Sequence, residues 1–283
     1  MTKPLWTSAD IETATGGSTS ADFNVTGISI DTRSLQPGDM FVALKDARDG
    51  HDFVENAFEA GAAGALTSRQ VGMRPQIVVE DVLPALEALG IAARARSSAI
   101  RTAVTGSVGK TSVKEMLAQI FRTAGPAHWS VKSFNNHWGV PLTLARMPED
   151  TKRAVFEIGM STPGEIAPRS QMVRPNIALI TKIAGAHLEG LGTLSAVAQE
   201  KADIFAGLEM NGHAILPGDD AHFSDLKERA LEHCPSANIL TFGESETADA
   251  RLLSAEISDT GTTATIDVQG DIVDVQYAAV GHH

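Results

Sequence analysis

Residues 102–112 read Thr102-Ala103-Val104-Thr105-Gly106-Ser107-Val108-Gly109-Lys110-Thr111-Ser112, an apolar stretch running into a glycine-bracketed turn with Lys-Thr at its exit. In such a turn the backbone N–H groups face an anion, the lysine reaches the β/γ-phosphates of a nucleotide, and the following hydroxyl meets Mg²⁺. The candidate phosphate-binding residues are therefore Thr105, Gly106, Ser107, Val108, Gly109, Lys110, Thr111 and Ser112. The general pattern carries a further glycine where this chain has Val104, so the match is to a shorter form, Thr-Gly-x-x-Gly-Lys-Thr. Downstream, Val113, Met116, Leu117, Ile120 and Phe121 recur at spacings of three and four, which predicts a helix packing that face inward.

Further along, apolar runs alternate with helical patterns. Ala154-Val155-Phe156-Glu157-Ile158-Gly159, Asn176-Ile177-Ala178-Leu179-Ile180-Thr181, Ala214-Ile215-Leu216 and Asn238-Ile239-Leu240-Thr241-Phe242 are too uniformly apolar for one-sided sheets and read as buried parallel strands. A helix over 223–233 covers them. After Gly243 the texture changes to two strands, 262–268 and 272–277, joined at Gly270-Asp271 as an antiparallel edge hairpin. Upstream, strands are expected at 28–30, 39–44, 64–67 and 76–79, with a helix ending at Gly61 and another over 84–96. The fold class is α/β: a small N-terminal α/β domain over 1–82, then a mostly parallel-sheet phosphate-loop domain over 83–283 with an antiparallel edge hairpin.

Composition narrows the partners. A chain of 283 residues, 43% hydrophobic and 20% charged, can build two packed cores. A formal net charge of −12 argues against non-specific binding to nucleic acid or anionic membrane, so any phosphate must be held locally. Cys234 is the single cysteine, which excludes an intrachain disulfide and fits a reducing cytoplasm. No apolar run approaches the roughly 20 residues of a membrane span, so no membrane insertion is expected.

Four places could carry chemistry. Glu157 interrupts an apolar strand, where a carboxylate needs a cation; magnesium is the natural one, and the bland alternative is a side chain turned to solvent on an edge strand. His187 and Glu189 follow a strand at its carboxyl edge. Lys201 sits on a helix beside Val197, Ile204 and Phe205, where most lysines snorkel outward. Asn135 and Asn136 make a polar turn before an apolar helix, and Thr32-Arg33 offers a hydroxyl and a guanidinium suited to phosphate or to a cap.

Together these motifs resemble the Mur ligase family of peptidoglycan synthesis, most closely its branch that adds D-Ala-D-Ala. The resemblance rests on the phosphate loop and on Phe-Asn-Asn-x-x-Gly-Val-Pro-Leu-Thr-Leu from Phe134, Glu-Ile-Gly-Met-Ser-x-Pro-Gly-Glu-Ile from Glu157, Ala-His-Leu-Glu from Ala186 and Glu-Lys-Ala-Asp-Ile-Phe from Glu200. Upstream, Asp-Thr-Arg-Ser-Leu from Asp31 and Asp-Gly-His-Asp-Phe from Asp49 are similar to the family's UDP-binding domain. Two positions depart: Lys182 and Pro217 stand where the family has asparagine.

The resemblance implies that Lys110, Glu157, His187 and Lys201 are catalytic, with Thr111, Glu157, His187 and a CO₂-derived carbamate on Lys201 serving Mg²⁺. It implies ATP as the nucleotide, and UDP-MurNAc-tripeptide and D-Ala-D-Ala as partners. Thr32 and Arg33 would touch the UDP moiety, while Asn135 and Asn136 would meet the sugar-phosphate or peptide stem. The expected enzyme is a cytoplasmic monomer forming an amide through an acyl phosphate. The family's C-terminal ligase domain is expected to be missing after His283, leaving this piece unable to complete ligation. Another Mur-type amino-acid ligase, a folylpolyglutamate synthetase and a non-catalytic phosphate-loop module are the alternatives; the Asp31-Thr32-Arg33 segment speaks against the second.

Overall fold

The computed structural model describes residues 3–19, 21–131, 134–185 and 192–278. The chain forms two compact units: Met1–Ala99 with Pro126–Lys152, and Ile100–Gly125 with Arg153–His283.

The first unit is built on a parallel sheet in the order β3 (Gly27–Ser29), β4 (Asp39–Val42), β5 (Gly64–Thr67), β6 (Gln76–Val78). A short antiparallel ribbon, β1 (Trp6–Thr7) with β2 (Asn24–Val25), brackets α1 (Ser8–Thr15), whose N-terminus Thr7 and Asp10 close with a reciprocal capping box. Crossovers are made by α2 (Val54–Glu59) and by loops, and α3 (Val82–Arg96) follows, capped by Asp81 on the N–H of Leu83. All four residues of β4 and of β5 are buried, because apolar layers cover both faces. On β4 the side chains alternate: Met40 and Val42 join the core with Leu86, Leu89 and Ala93 of α3, while Phe41 and Ala43 join Val54 and Ala57 on the opposite face.

The return segment contributes β8 (Ala127–Trp129) and α5 (Gly139–Ala145), whose Leu142 and Ala145 lie in the same core as α3. The expectation of a single boundary near residue 83 therefore differs from the observed division. Leu86, Leu89 and Ala93 bury their apolar surface among first-unit residues, so the chain stays there until Ala99. It then returns for Pro126–Lys152, a swap that local periodicity does not encode.

The second unit carries a twisted sheet in the order β15-β14-β13-β12-β11-β10-β7-β9. Strands β9 (Arg153–Glu157), β7 (Ile100–Thr105), β10 (Ile177–Ile180), β11 (His213–Pro217) and β12 (Asn238–Gly243) are parallel. Helices α4 (Lys110–Thr123), α6 (Ile166–Val173), α7 (Leu194–Ala202) and α8 (Phe223–His233) belong to this unit, and a 3₁₀ turn, Asp203–Gly207, extends α7.

The expected edge hairpin stands as β14 (Gly261–Val268) with β15 (Asp271–Tyr277), and a strand that the sequence pattern missed, β13 (Ala250–Ser258), runs parallel to β12 and pairs antiparallel with β14, making a three-stranded meander. The pairing of β13 slips between Leu252 and Ser254, an irregularity that breaks the alternation by which a strand is recognised. On α4 the inward face is Lys114 and Ala118, with Val113, Leu117 and Phe121 half-buried, whereas Met116 and Ile120 are exposed. Among the described residues no helix is long and apolar enough to cross a membrane.

Trp6 is the pin of the first unit. Its indole N–H donates to the carbonyl of Ala145 at 2.8 Å, and the Arg96 guanidinium lies 3.5 Å from its ring centroid. Burial holds the Arg96 pKa below its ordinary value, and the guanidinium answers with a hydrogen bond to the Leu5 carbonyl at 2.8 Å. Trp6→Ala should lower the stability of this unit by about 3–5 kcal/mol, combining a large cavity with the lost cation–π contact. Urea unfolding followed by the fluorescence of Trp129 and Trp138 checks this, because all three tryptophans lie in the first unit.

Candidate nucleotide site

Strand β7 ends at Thr105, the chain turns through Gly106 to Gly109, and α4 begins at Lys110. Gly106 has φ +147°, and a Cβ there would stand 2.0 Å from the Thr181 hydroxyl, so both the backbone and the space demand glycine. Gly109, the N-cap of α4, brings no side-chain oxygen to the first helical amides, which leaves them to an external acceptor. The Lys110 ammonium curls back to donate to the carbonyls of Gly106 at 2.6 Å and Ser107 at 3.4 Å. Burial lowers its pKa, and the nearby Glu157 carboxylate works in the opposite direction.

The loop is braced from β10. The Ser107 N–H donates to the Lys182 carbonyl at 2.8 Å, its hydroxyl donates to the Ala184 carbonyl at 2.9 Å, and the Ala184 N–H donates to that hydroxyl at 3.0 Å. The Thr181 hydroxyl donates to the Val108 carbonyl at 2.5 Å. Ser107 thus holds the loop's shape through both its backbone and its side chain. The sequence reading passed over Thr181 and Ala184; the available signal was their place at a strand's carboxyl edge, where α/β sheets collect their binding groups.

Glu157 ends β9, the neighbour of β7, with Val104 directly beside it in the ladder. It is 1% exposed, which overturns the solvent-facing alternative, and one carboxylate oxygen accepts a hydrogen bond from the Thr111 hydroxyl at 3.0 Å. Lys201, on α7, is fully buried rather than snorkelling outward. Its Nζ has no hydrogen-bond partner among the described residues. Burial, reinforced by the charge of Lys110 and opposed by Glu200, brings its pKa down to about 8. Lys110 is therefore within electrostatic reach of both Glu157 and Lys201.

His187 lies outside the described residues. Among the described residues no cluster of three His, Cys, Asp or Glu side chains forms a ready-made metal cage. The hydroxyl of Thr111 and the carboxylate of Glu157 are hard oxygen donors of the kind Mg²⁺ prefers, and that ion usually completes its shell with phosphate oxygens and water. The residues present fit such an ion. In the first unit, Arg33 pairs with Asp31 through Nε at 2.9 Å and Nη2 at 2.6 Å in an exposed turn that also contains Thr32. Asn136 accepts the N–H of Gly139 at 2.9 Å, closing the turn before α5, with Asn135 alongside it in the chain.

A strand, a glycine turn, an uncapped helix N-terminus and a buried glutamate beside the loop's hydroxyl define a phosphate-loop protein of the parallel α/β class. The model of the Mur ligase middle domain matches residues 104–283, and that of the Mur ligase family catalytic domain matches residues 24–123. The chain belongs to the Mur ligase family. It is 39% identical over 245 residues to the UDP-N-acetylmuramoyl-tripeptide–D-alanyl-D-alanine ligase of Bacillus subtilis, matching 85% of this chain and 52% of that protein. Its fold superposes on crystal structure I of MurF from Acinetobacter baumannii with a TM-score of 0.84 and 29% identity, covering 99% of this chain and 62% of that one. The MurF ligase of Thermotoga maritima in complex with ADP gives 0.71 and 27%, covering 88% and 57%. The chain thus spans a little over half the length of these relatives.

Gly106→Ala should weaken nucleotide binding at least tenfold by calorimetry, because the new methyl displaces Thr181 and breaks the brace on Val108. The Lys201 amine gives a pH test in CO₂-free buffer. Between about 8, its folded pKa, and 10.5, its ordinary value, the unfolded chain binds a proton that the folded chain does not, so this group makes stability rise with pH across that window. Lys201→Met should remove that rise and stabilise the protein at pH 7, as read by chemical denaturation at a series of pH values.

Proposed function

We propose that this chain is the UDP-substrate and ATP-binding part of a cytoplasmic ligase that joins D-Ala-D-Ala to UDP-MurNAc-tripeptide. The observation that carries the reading is the meeting of Thr111 with Glu157 at 3.0 Å beside Lys110, with a buried Lys201 amine that has no hydrogen-bond partner among the described residues and lies within reach of Lys110's charge. The names of the relatives supply the substrates, and the ADP bound to the Thermotoga maritima structure supports the nucleotide.

In this reading the amides from Val108 to Ser112 cradle the ATP phosphates and Lys110 leaves the Gly106 carbonyl for the β/γ-phosphates. Thr105, Gly106 and Ser107 shape the loop beneath them. Thr111, Glu157 and His187 hold Mg²⁺, which offsets the charge of the polyphosphate. A carbamate on Lys201 fits the orphaned Nζ: addition of CO₂ replaces a desolvated amine with an anion able to share the metal's charge. Thr32 and Arg33 hold the UDP moiety, and Asn135 and Asn136 meet the sugar-phosphate or peptide stem.

The chemistry follows from charge. A carboxylate resists nucleophilic attack, so its oxygen first takes the γ-phosphoryl group of ATP, releasing ADP, and the resulting acyl phosphate is attacked by the amine of the dipeptide with loss of phosphate. Phosphoryl transfer is catalysed almost wholly by positioning and electrostatic stabilisation, and Lys110 is the mobile cation of this site. Lys110→Ala in the full-length protein should cut acyl-phosphate formation, read by hydroxylamine trapping with UDP-MurNAc-tripeptide and ATP, by about 10²–10³-fold. Unchanged trapping, or a wild-type protein that couples other amino acids but not D-Ala-D-Ala, would refute the assignment.

A further inference from the structure

The segment from Ile158 to Glu165 joins β9, which ends in Glu157, to α6, and it contains no regular structure. Its backbone is nonetheless held at several points. One Glu165 oxygen accepts the N–H groups of Ser161 at 2.6 Å and Thr162 at 3.3 Å. Arg169, buried and paired with Glu165, donates to the Gly159 carbonyl. Two further donors go to a different helix: the N–H of Gly164 reaches one Glu200 oxygen at 2.8 Å and that of Ile166 reaches the other at 3.3 Å.

Helix α6 receives no cap from its own N-cap residue, Glu165, so Glu200 supplies the carboxylate from α7, where the partial positive charge of the helix end favours it. Farther along, the Ser170 hydroxyl donates to the Ile204 carbonyl and accepts the N–H of Gly207 at 3.2 Å, fastening the middle of α6 to the 3₁₀ turn. Glu200 is 7% exposed and is the residue next to Lys201. A single peptide bond therefore links the clamp on the Glu157 segment to the buried amine.

We propose that Glu200 is a positioning residue for phosphoryl transfer: by holding the amides of Gly164 and Ile166 it ties the segment leaving Glu157 to the helix that carries Lys201, so that carboxylate and amine keep one spacing. This rests on the ligase reading above. Both carboxylate oxygens are in use, and an amide cannot replace them, because its NH₂ group would confront one of the two backbone donors in a nearly closed site. Aspartate retains the charge but is one methylene shorter, so it cannot span both amides.

The test compares wild type, Glu200→Gln and Glu200→Asp in the full-length protein. Both variants should lower kcat at least tenfold, since small misplacements of reacting groups are costly, with KM for ATP and ATP affinity by calorimetry within about twofold of wild type. Hydrogen exchange in 158–166 should quicken at least tenfold in both. Added bicarbonate should restore neither. If kcat recovers on cooling in step with the folded fraction, Glu200 is only a stabilising cap and the proposal falls. It falls equally if bicarbonate restores activity, which would make Glu200 a regulator of the amine's charge, or if exchange in 158–166 is unchanged. A wild-type protein that forms no amide refutes the ligase reading instead, and the exchange rates then decide by themselves whether the clamp exists.

Discussion

The second unit depends on the side-by-side register of three strands. With β7 flanked by β9 and β10, the phosphate loop emerges between the carboxyl ends of its two neighbours, and each neighbour contributes what the loop lacks. One side supplies Glu157, directly beside Val104 in the ladder and bonded to Thr111. The other supplies Thr181 and Ala184, whose hydroxyl and N–H donate to the Val108 carbonyl and the Ser107 hydroxyl. Parallel strands space these groups without any side chain having to search for its place, which lowers the entropy lost when a nucleotide is bound.

Charge is arranged around this frame in opposed pairs. Lys110 and Lys201 are both drawn out of water, and the pKa of each is lowered for that reason, while Glu157 opposes the effect at Lys110 and Glu200 opposes it at Lys201. The two carboxylates also accept hydrogen bonds, Glu157 from Thr111 and Glu200 from two backbone amides, whereas the Lys201 amine has no hydrogen-bond partner among the described residues.

Much of this was legible in the amino-acid order because it is local. The loop, the strands on either side of it and the helix over Phe223–His233 are set by short-range pattern and turn chemistry, and they stand where that pattern placed them. What escaped depends on distant partners. Burial of Lys201 is decided by packing around α7: periodicity sets it with Val197 and Ile204 on the buried face, and only the habit of lysines to snorkel argued for exposure. The exposure of Met116 and Ile120 on α4 reflects the same limit, since the amphipathic stripe was inferred from apolar character and the fold chose Lys114 and Ala118. Glu200 had no role of its own in the sequence pattern, because its partners, Gly164 and Ile166, lie more than thirty positions earlier. The membership of α3 in the first unit was hidden for the same reason, because Leu86 and Leu89 share a core with Met40 and Val42 well before them and with Leu142 and Ala145 well after them.

That interleaving has a consequence for synthesis. The first unit lacks its full return segment until residue 152 has left the ribosome, and by then β7 and α4 have already emerged without β9 or β10 to pair with. The nascent chain must hold an unpaired apolar strand while an earlier core waits for its last helix, so the two units mature together instead of in N-to-C order. A ribosome pause placed after codon 125 would extend the lifetime of that half-built state, and with it the need for a chaperone.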